Sequence, residues 1–281
     1  MQLLLQRFLA VCAAGLLICG TVHAQRALSA PEEKAQPKIP KSSIDQRIPI
    51  IRVGLTAGYN LALHSADAMN LPNIPSCCPG YTSTTGGGVA LGAEVDFIAS
   101  DHIDILMRLT YQTASATMTT DEMTTIRDNS GPRETALRHT LTSSLGMLFL
   151  EPGIEYRLAS GFGFIGGIRW GVLMNATYTE KETFADPNLP YDYADGSGVH
   201  NASEGDLPDK NSMQFGLFLG ARYHLALDNS GTFQLIPAVE FAPLFSEIVK
   251  ETSWSVSSFR ASVGLTMTIS RHEVLGSPLS P

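Results

Sequence analysis

The chain of 281 residues lacks three features that would assign it to a common class at once. It has no basic excess, because 27 Asp and Glu oppose 19 Lys and Arg and the formal net charge is −8. Nucleic-acid binding needs cations to neutralise phosphates, so this balance excludes a nucleic-acid partner. Charged residues make up only 16%, below the roughly 25% of ordinary soluble domains. No long apolar run follows residue 24, although 44% of all residues are hydrophobic. The apolar side chains must therefore be spread in a shorter repeat.

Cysteine is also scarce, and two of the four cysteines lie in a segment that we expect to be removed. Residues 1–24 combine a basic start, an apolar stretch and small residues before the end, which is the plan of a secretory signal peptide cut after Ala24. A lipoprotein signal ending at Cys19 is the alternative, and Ile18 disfavours it because a small residue is expected there. Cleavage after Ala24 removes Cys12 and Cys19.

The remaining cysteines, Cys77 and Cys78, are adjacent and flanked by proline and glycine. Two cysteines cannot form a four-cysteine metal site. Neighbouring Cα atoms lie ~3.8 Å apart, below the usual disulfide range of roughly 4.4–6.8 Å. Three states stay open: a strained vicinal disulfide, a bond to another chain, and free thiols. We expect a stiffened exposed loop here, with no redox role and no metal.

Apolar side chains recur at every second position from residue 51 onward, which is typical of strands with one apolar face. Eight segments follow this pattern, at residues 51–63, 89–97, 103–112, 140–158, 162–175, 213–225, 233–246 and 259–270. The fourth segment is less regular, and Pro152-Gly153 predicts a β-bulge there because a strand proline cannot donate to the ladder.

The connections between these segments alternate in length. Short turns are predicted at residues 100–102, 159–161 and 228–231, long polar loops at 64–86, 119–139 and 180–210, and a short last link at 250–253. This alternation, an even strand count and an export signal are typical of an outer-membrane barrel.

A soluble barrel of the lipocalin kind also alternates, but its apolar face points inward. Here the polar face is rich in Gly, Thr and Ser and interleaves arginines with carboxylates, which suits a narrow lumen. Aromatic residues on the apolar face lie toward both strand ends, as interfacial girdles do. They are Phe97, Phe162, Phe164, Tyr223 and Phe233 near the turns and Tyr59, Tyr111, Tyr178, Phe215 and Phe245 near the loops, with Trp254 joining them only if a bulge shifts the register before Phe259.

We therefore predict an all-β fold, an eight-stranded antiparallel transmembrane β-barrel with short periplasmic turns and long extracellular loops. The predicted organisation is a signal peptide at 1–24, a flexible periplasmic spacer at 25–47, the barrel at 48–270 and a C-terminal tail at 271–281. The expected location is the bacterial outer membrane, as a monomer surrounded by lipid and lipopolysaccharide.

Three stretches carry a resemblance to a known family. They are the opening Arg-Val-Gly-Leu-Thr-Ala-Gly-Tyr-Asn at 52–60, Leu-Glu-Pro-Gly-Ile-Glu-Tyr at 150–156 and the alternating end at 259–269. Over residues 48–270 the chain resembles the outer membrane protein beta-barrel domain family, which includes OmpA/OmpX-like and PorT-like small barrels. The resemblance implies a fold and a location more than an activity.

The polar face predicts a charge network inside the barrel. Buried charges must pair, and the planar fork of arginine suits two-point contact with carboxylates. Since eight strands leave an interior that side chains just fill, we expect a salt-bridged, closed lumen, with a gated conduit or proton path as the alternative. The predicted network comprises Arg52, Glu94, Asp96, Asp104, Arg108, Glu155, Arg169, Arg222, Glu240 and Arg260.

The loops offer weaker signals. Residues 180–210 are acidic, which indicates a solvated loop or a weak divalent-cation site. Loop histidines that could serve a barrel enzyme are His64, His139 and His200, with Asp67 and Glu134 as possible partners, but no pairing rises above chance. We expect no enzymatic activity, no catalytic or metal site and no cofactor. The predicted role is structural or surface-interacting, through adhesion or binding of an extracellular or envelope protein. A narrow channel or transport or secretion accessory is the first alternative, and a barrel enzyme is the second.

Overall fold

A computed structural model of the chain describes residues 44–67, 69, 71, 80–128, 131–186, 193 and 196–275. The predicted signal peptide, most of the predicted spacer, and Cys77 and Cys78 lie outside these residues, so the expectations for them stay predictions. Within the described residues no helix is long and apolar enough to span a membrane. Residues 45–274 form one unit.

The chain contains ten strands in that described part, and each of the eight predicted segments overlaps a different long strand. The strands are β1 (Ile44–Ser65), β2 (Thr84–Ile98), β3 (Ile103–Asp128), β4 (Gly131–Arg157), β5 (Phe162–Phe184), β6 (His200–Asp206), β7 (Met213–Tyr223), β8 (Leu225–Ala226), β9 (Phe233–Pro243) and β10 (Ser255–Leu275).

The strands form a closed antiparallel sheet. The order is β10-β1-β2-β3-β4-β5-β7-β9, and a further pairing of β10 with β9 closes the ring. Closure removes the sheet edges that an open sheet would leave unpaired. The predicted all-β antiparallel barrel is confirmed, and its first strand begins at Ile44, four residues before the predicted start of the barrel domain at 48.

Eight strands make up the ring within the described residues, and two short ones, β6 and β8, bring the count there to ten instead of the predicted eight. β8 continues β7 past a break at His224, since Arg222 faces Ala238 and Leu225 faces Leu235 in an unbroken register against β9. β6 lies in the predicted third loop and pairs with β5. Its residues are mostly exposed, so it lacks the apolar alternation that identified the other strands.

The predicted bulge at Pro152-Gly153 is wrong. The register of β4 against β5 is the same at Leu150, which faces Trp170, and at Gly153, which faces Gly167. The pairing skips Glu151 and Pro152 without a shift, and the shift lies instead between Gly146 and Met147. A Cβ atom on Gly153 would lie 2.6 Å from the ring of Phe218, whose side chain is fully buried. The glycine therefore serves close packing and not a change of register.

The predicted second long loop, at 119–139, is mostly a hairpin. β3 continues to Asp128 and β4 begins at Gly131, with Thr119 facing Thr140. The last pair between β2 and β3 within the described residues is Gly87 with Ser115, so the hairpin extends beyond the β2 side of the barrel. Polar side chains along this stretch resemble a loop in sequence, although threonine is a good strand former.

The two faces of β3 exchange polarity near Gln112. From Arg108 to Gln112 the buried positions are polar, and the exposed ones between them are apolar. Beyond Gln112 the buried positions are Ala114, Ala116 and Met118, and the exposed ones are Ser115, Thr117 and Thr119. The inside–outside alternation is unchanged, so only the residue types swap. The barrel thus has a turn-end part that is apolar outside and a loop-end part that is apolar inside.

Exposed aromatic residues mark the outer surface of the turn-end part. Near its boundary with the loop-end part, Trp170 stacks on Phe215, with ring centroids 6.4 Å apart and planes 6° apart. The predicted girdle residue Tyr178 packs against the buried apolar cluster, and Trp254, whose girdle position depended on a bulge, is fully buried. Trp254 lies six residues before inward-facing Arg260. Because an even separation puts two residues on the same face of a strand, Trp254 points inward without any register shift.

Candidate functional site

The interior of the barrel holds all ten residues of the predicted charge network. Each side chain occupies an inward strand position, and none of these residues is more than 4% exposed. They group into two clusters along the barrel axis, a turn-side cluster and a central cluster.

The turn-side cluster is built around Arg52 and Arg222. Arg52 Nη1 donates to Asp96 at 2.8 Å and to Asp104 at 3.2 Å. Arg222 Nη2 donates to the same Asp96 oxygen at 2.7 Å and also to Glu155. Asp96 therefore joins two arginines that come from opposite parts of the ring. Such charge-assisted bonds are the stronger class of hydrogen bond.

Three further residues complete the turn-side cluster. Arg157 Nη2 donates to Asp104 at 2.9 Å, and His224 Nε2 lies 2.6 Å from Glu155. Glu94 lies 3.5 Å from Arg222 Nη1. A Cβ atom on Gly163 would overlap the Glu155 carboxylate, so the glycine on this face makes room for the buried charge.

The central cluster contains three arginines and two glutamates. Arg108 donates through both Nη atoms to Glu240, each at 2.7 Å, and through Nε to Glu151 at 2.7 Å. Arg260 donates to Glu151 at 2.9 Å and also to Glu240. Arg169 Nη2 lies 3.1 Å from Glu151. Each glutamate is therefore shared by at least two arginines.

Glu151 is the central residue that sequence reasoning missed. It is fully buried and contacts all three arginines of its cluster. The available signal was its spacing of four residues from Glu155, which puts both on one face of β4. The expected bulge at Pro152, between the two, hid that relation.

Arg169 has neutral partners as well. Its Nη2 donates to Gln112 Oε1 at 2.8 Å, and its guanidinium lies 3.7 Å from the ring centroid of Phe149. A cation over an aromatic face is attracted by the ring quadrupole. Phe149 and Gln112 therefore join the charged turn-end interior to the apolar interior beyond it.

The arginines and carboxylates of the two clusters taken together are equal in number. Because isolated buried ions cost several kcal/mol each, equal numbers of opposite charges are needed for a stable dry interior. Six arginines and six carboxylates occupy the described lumen, namely Arg52, Arg108, Arg157, Arg169, Arg222 and Arg260 against Glu94, Asp96, Asp104, Glu151, Glu155 and Glu240.

An apolar plug fills the loop-end interior. It includes Trp254, Leu145, Met118 and Ile248 and closes over the charge clusters. Trp254 Nε1 donates to Nδ1 of buried His64 at 3.1 Å. Burial lowers the pKa of His64 to about 4, since desolvation disfavours the charged imidazolium.

Two buried glutamates lie above the plug, in the acidic third loop region. Tyr81 donates its hydroxyl to Glu180 at 2.6 Å. Burial and the Glu180 carboxylate raise the pKa of Tyr81 above its usual range. Glu182 accepts from Tyr193 and Asn201, each at 2.9 Å. Protein donors thus already bind these two carboxylates.

The three loop histidines occupy different environments. His64 is in the plug, His139 lies 3.4 Å from Glu122 and 3.9 Å from Glu182, and His200 stacks on Tyr193 at a centroid distance of 4.8 Å. Among the described residues Asp67 and Glu134, the two suggested partners, form no ion pair with any of them. The structure does not bring the suggested pairs together.

One set of carboxylates has metal-like spacing. Ligand oxygens of Asp96, Asp104 and Glu155 all lie within 4.8 Å of one another. The same three carboxylates accept from Arg52 and Arg222, so guanidinium groups already supply the positive charge that a metal would bring. The arrangement fits a salt-bridge network.

No family model and no curated protein matches the chain. Among solved structures, it is similar to Ail, the attachment invasion locus protein of Yersinia pestis, at 9% identity over 77% of this chain and 98% of that one, with a TM-score of 0.36. It is also similar to neisserial surface protein A, at 10% identity over 77% of this chain and 97% of that one, with a TM-score of 0.33. A third similar structure is the outer membrane protease OmpT from Escherichia coli, at 10% identity over 80% of this chain and 98% of that one, with a TM-score of 0.31. At these scores the description of the fold rests on the strand pairing of this chain alone.

Proposed function

We propose that this chain is an integral β-barrel of the bacterial outer membrane with a closed, non-conducting lumen. Its role is to present a rigid projecting sheet to a binding partner outside the cell. In this proposal the export signal directs it to the envelope, and it is a small barrel of the OmpA/OmpX-like or PorT-like kind without enzymatic activity.

The polarity of the turn-end part supports a membrane location. Its outward positions are apolar and exposed from Ile103 to Tyr111 on β3, a stretch of nine residues. A tilted strand needs about 9–11 residues to cross the hydrocarbon layer. A soluble protein rarely exposes apolar patches of more than a few hundred Å². A belt that surrounds the barrel is instead suited to lipid.

The filled interior is the observation that carries the closed-lumen proposal. The turn-side and central clusters occupy the turn-end interior, and the apolar plug occupies the loop-end interior. An ion passing through would have to break buried ion pairs, each of which is costly to break. A cavity beside Arg108, Glu240 and Arg260 of the central cluster is only about 10 Å³.

The projecting sheet supports a surface-interaction role. Beyond Ser115, β3 pairs only with β4 among the described strands and so has one open edge. The Thr117 carbonyl points to the β2 side, where it accepts from Thr84. Because backbone groups alternate along a strand, those of Thr119, Asp121 and Met123 also point to the open edge. An extended segment of a partner protein can add to such an edge.

Membrane fractionation, bilayer recording and surface labelling together test the proposal. We expect outer-membrane recovery, a heat-dependent shift in gel mobility and no single-channel steps in planar bilayers. In a background with serine at Cys77 and Cys78, an impermeant maleimide is expected to label Thr125→Cys on intact cells, and the matched variant Ser100→Cys, at a short turn, is expected to stay unlabelled.

Soluble periplasmic protein without a mobility shift would contradict the membrane location. Regular conductance steps would favour the narrow-channel alternative. Equal labelling of both cysteine variants on intact cells would contradict the proposed orientation.

A further inference from the structure

A cavity of about 180 Å³ lies at the turn end of the barrel. It lies next to Arg52 of the turn-side cluster. Its walls come from the beginning of β1, the ends of β2 and β4, the turn between β8 and β9, and the last part of β10. The lining residues that bear on binding are Arg52, Arg157, Ser230 and Thr268.

The lining carries two guanidinium groups and several hydroxyl groups. Its charged members are Arg52 and Arg157, and no carboxylate is among the lining residues. The Thr268 hydroxyl of β10 has no described partner, whereas Ser230 of the β8–β9 turn donates to Asp228. Several donors around one small space suit a tetrahedral oxyanion, which has more acceptor oxygens than a carboxylate.

Several polar atoms of this lining have unused hydrogen-bonding capacity. Arg52 Nε, Arg157 Nε and Thr268 Oγ1 are buried and have no hydrogen-bond partner within the described residues. Arg52 is itself only 2% exposed. A buried donor without a partner costs free energy, which a ligand or water can recover.

We infer that this cavity binds a phosphate group at the periplasmic mouth of the barrel. Arg52 and Arg157 each offer an Nε–H donor that no described residue uses, and the Thr268 hydroxyl donates to a further oxygen. The group can come from free phosphate, a small phosphate ester or the headgroup of an inner-leaflet lipid, since all three present the same oxyanion.

The neighbouring carboxylates do not oppose this binding strongly. Asp104 accepts from both Arg52 and Arg157, so its charge is offset. Asp228, in the β8–β9 turn, accepts from Ser230 and from the Phe233 amide at 2.8 Å. The Asp228 carboxylate is therefore already hydrogen-bonded within its own turn.

Calorimetry on the folded, full-length protein in a phosphate-free neutral detergent tests the inference. The probes are inorganic phosphate, glycerol 3-phosphate and dihexanoyl phosphatidylglycerol below its micelle concentration. We expect saturable binding of at least one probe, weakened about tenfold or more by Arg157→Gln and several-fold by Thr268→Val, as loss of charge-assisted and neutral hydrogen bonds predicts. Binding of the lipid alone would identify a headgroup as the source.

Two comparisons keep the test independent of folding. Thr268→Val removes a hydroxyl that bonds to no described residue, so it is expected to retain the heat-dependent mobility shift. Arg133→Gln removes an exposed arginine at the opposite end and is expected to leave binding unchanged. No saturable binding of any probe would overturn the inference. Equal affinities for the wild type, Arg157→Gln and Thr268→Val would overturn it too.

Discussion

At the scale of single residues, the interior depends most on shared carboxylates. Glu151 contacts Arg108, Arg169 and Arg260, and it also accepts from the Thr110 hydroxyl at 3.0 Å. Three like charges around one site repel one another, and the carboxylate is what permits them to lie together. Glu151 therefore has a structural role, because it holds the three arginines together.

Replacing Glu151 with glutamine should destabilise the barrel strongly. The change leaves three arginines with only Glu240 as an ionised central partner, and breaking a buried pair costs about 3–5 kcal/mol. Urea unfolding in lipid vesicles, followed by tryptophan fluorescence, measures the loss. The matched control is Asp121→Asn, which breaks an exposed pair with Arg138 and should change stability little. A similar small loss in both variants would contradict the role of Glu151.

His64 should make stability depend on pH. Its pKa falls from the ordinary 6.5 to about 4 on burial, so between these values the unfolded chain takes up a proton that the folded chain does not. Stability is therefore retained above about pH 6.5 and is lost as the pH falls toward 4, by up to about 3 kcal/mol. His64 lies five residues beyond Tyr59 on β1, on the loop side of the proposed membrane.

The measurement is the unfolding free energy at pH 7 and pH 4 for the wild type and His64→Gln. Glutamine can still accept from Trp254 but does not titrate in this range. We expect the variant to lose less stability on acidification. His102→Gln, at an exposed turn, is the control. Parallel losses in the wild type and His64→Gln would exclude His64 as the cause.

At the scale of elements, β3 combines two environments in one strand. Its turn-end half lies between β2 and β4, whereas beyond Ser115 it has β4 alone as a described partner. The backbone geometry is continuous across this change. The two halves of β3 differ in which backbone amides are hydrogen-bonded to a neighbouring strand, and hydrogen exchange measures that difference directly.

The open edge predicts an alternating exchange pattern. Amides of Asp121, Met123 and Thr125 should exchange fast, and those of Glu122 and Thr124, which face β4, should exchange slowly. Within the barrel, β3 has a neighbouring strand on each side. Odd-numbered and even-numbered amides should therefore both be protected from exchange, as at Leu109 and Thr110. Nuclear magnetic resonance of the deuterium-exchanged protein in nanodiscs resolves these amides. Uniform protection from residue 119 to 125 would mean that another segment covers the edge.

At the scale of the whole molecule, the exchange of polarity between the two parts defines how the barrel can be placed. The turn-end part buries charges and exposes apolar groups, and the loop-end part does the reverse, with an interior like that of a soluble protein. Under the proposed membrane location, a bilayer can surround only the first part. In that proposal the second part extends into water as a packed base for the projecting sheet, and its apolar plug closes the lumen.

Much of this architecture could be predicted because a period of two is local information. Alternation located the eight barrel segments, and the placement of arginines and carboxylates on one face identified ten members of the interior network. The same alternation also places Glu151 on the inward face, but the bulge expected at Pro152 hid that relation, and the register does not shift there. Side-chain direction in a regular strand was the better guide.

Other features depended on contacts between residues far apart in the chain. The hairpin at 119–139 and strand β6 lack apolar alternation, and they form strands because neighbouring strands offer them hydrogen bonds. The sharing of Glu151 among Arg108, Arg169 and Arg260 follows from ring closure, which brings β3, β5 and β10 to one point. Periodicity was enough to assign which face each side chain takes. Only the closed sheet decides which side chains meet across the lumen, because that depends on register, and register is set between strands.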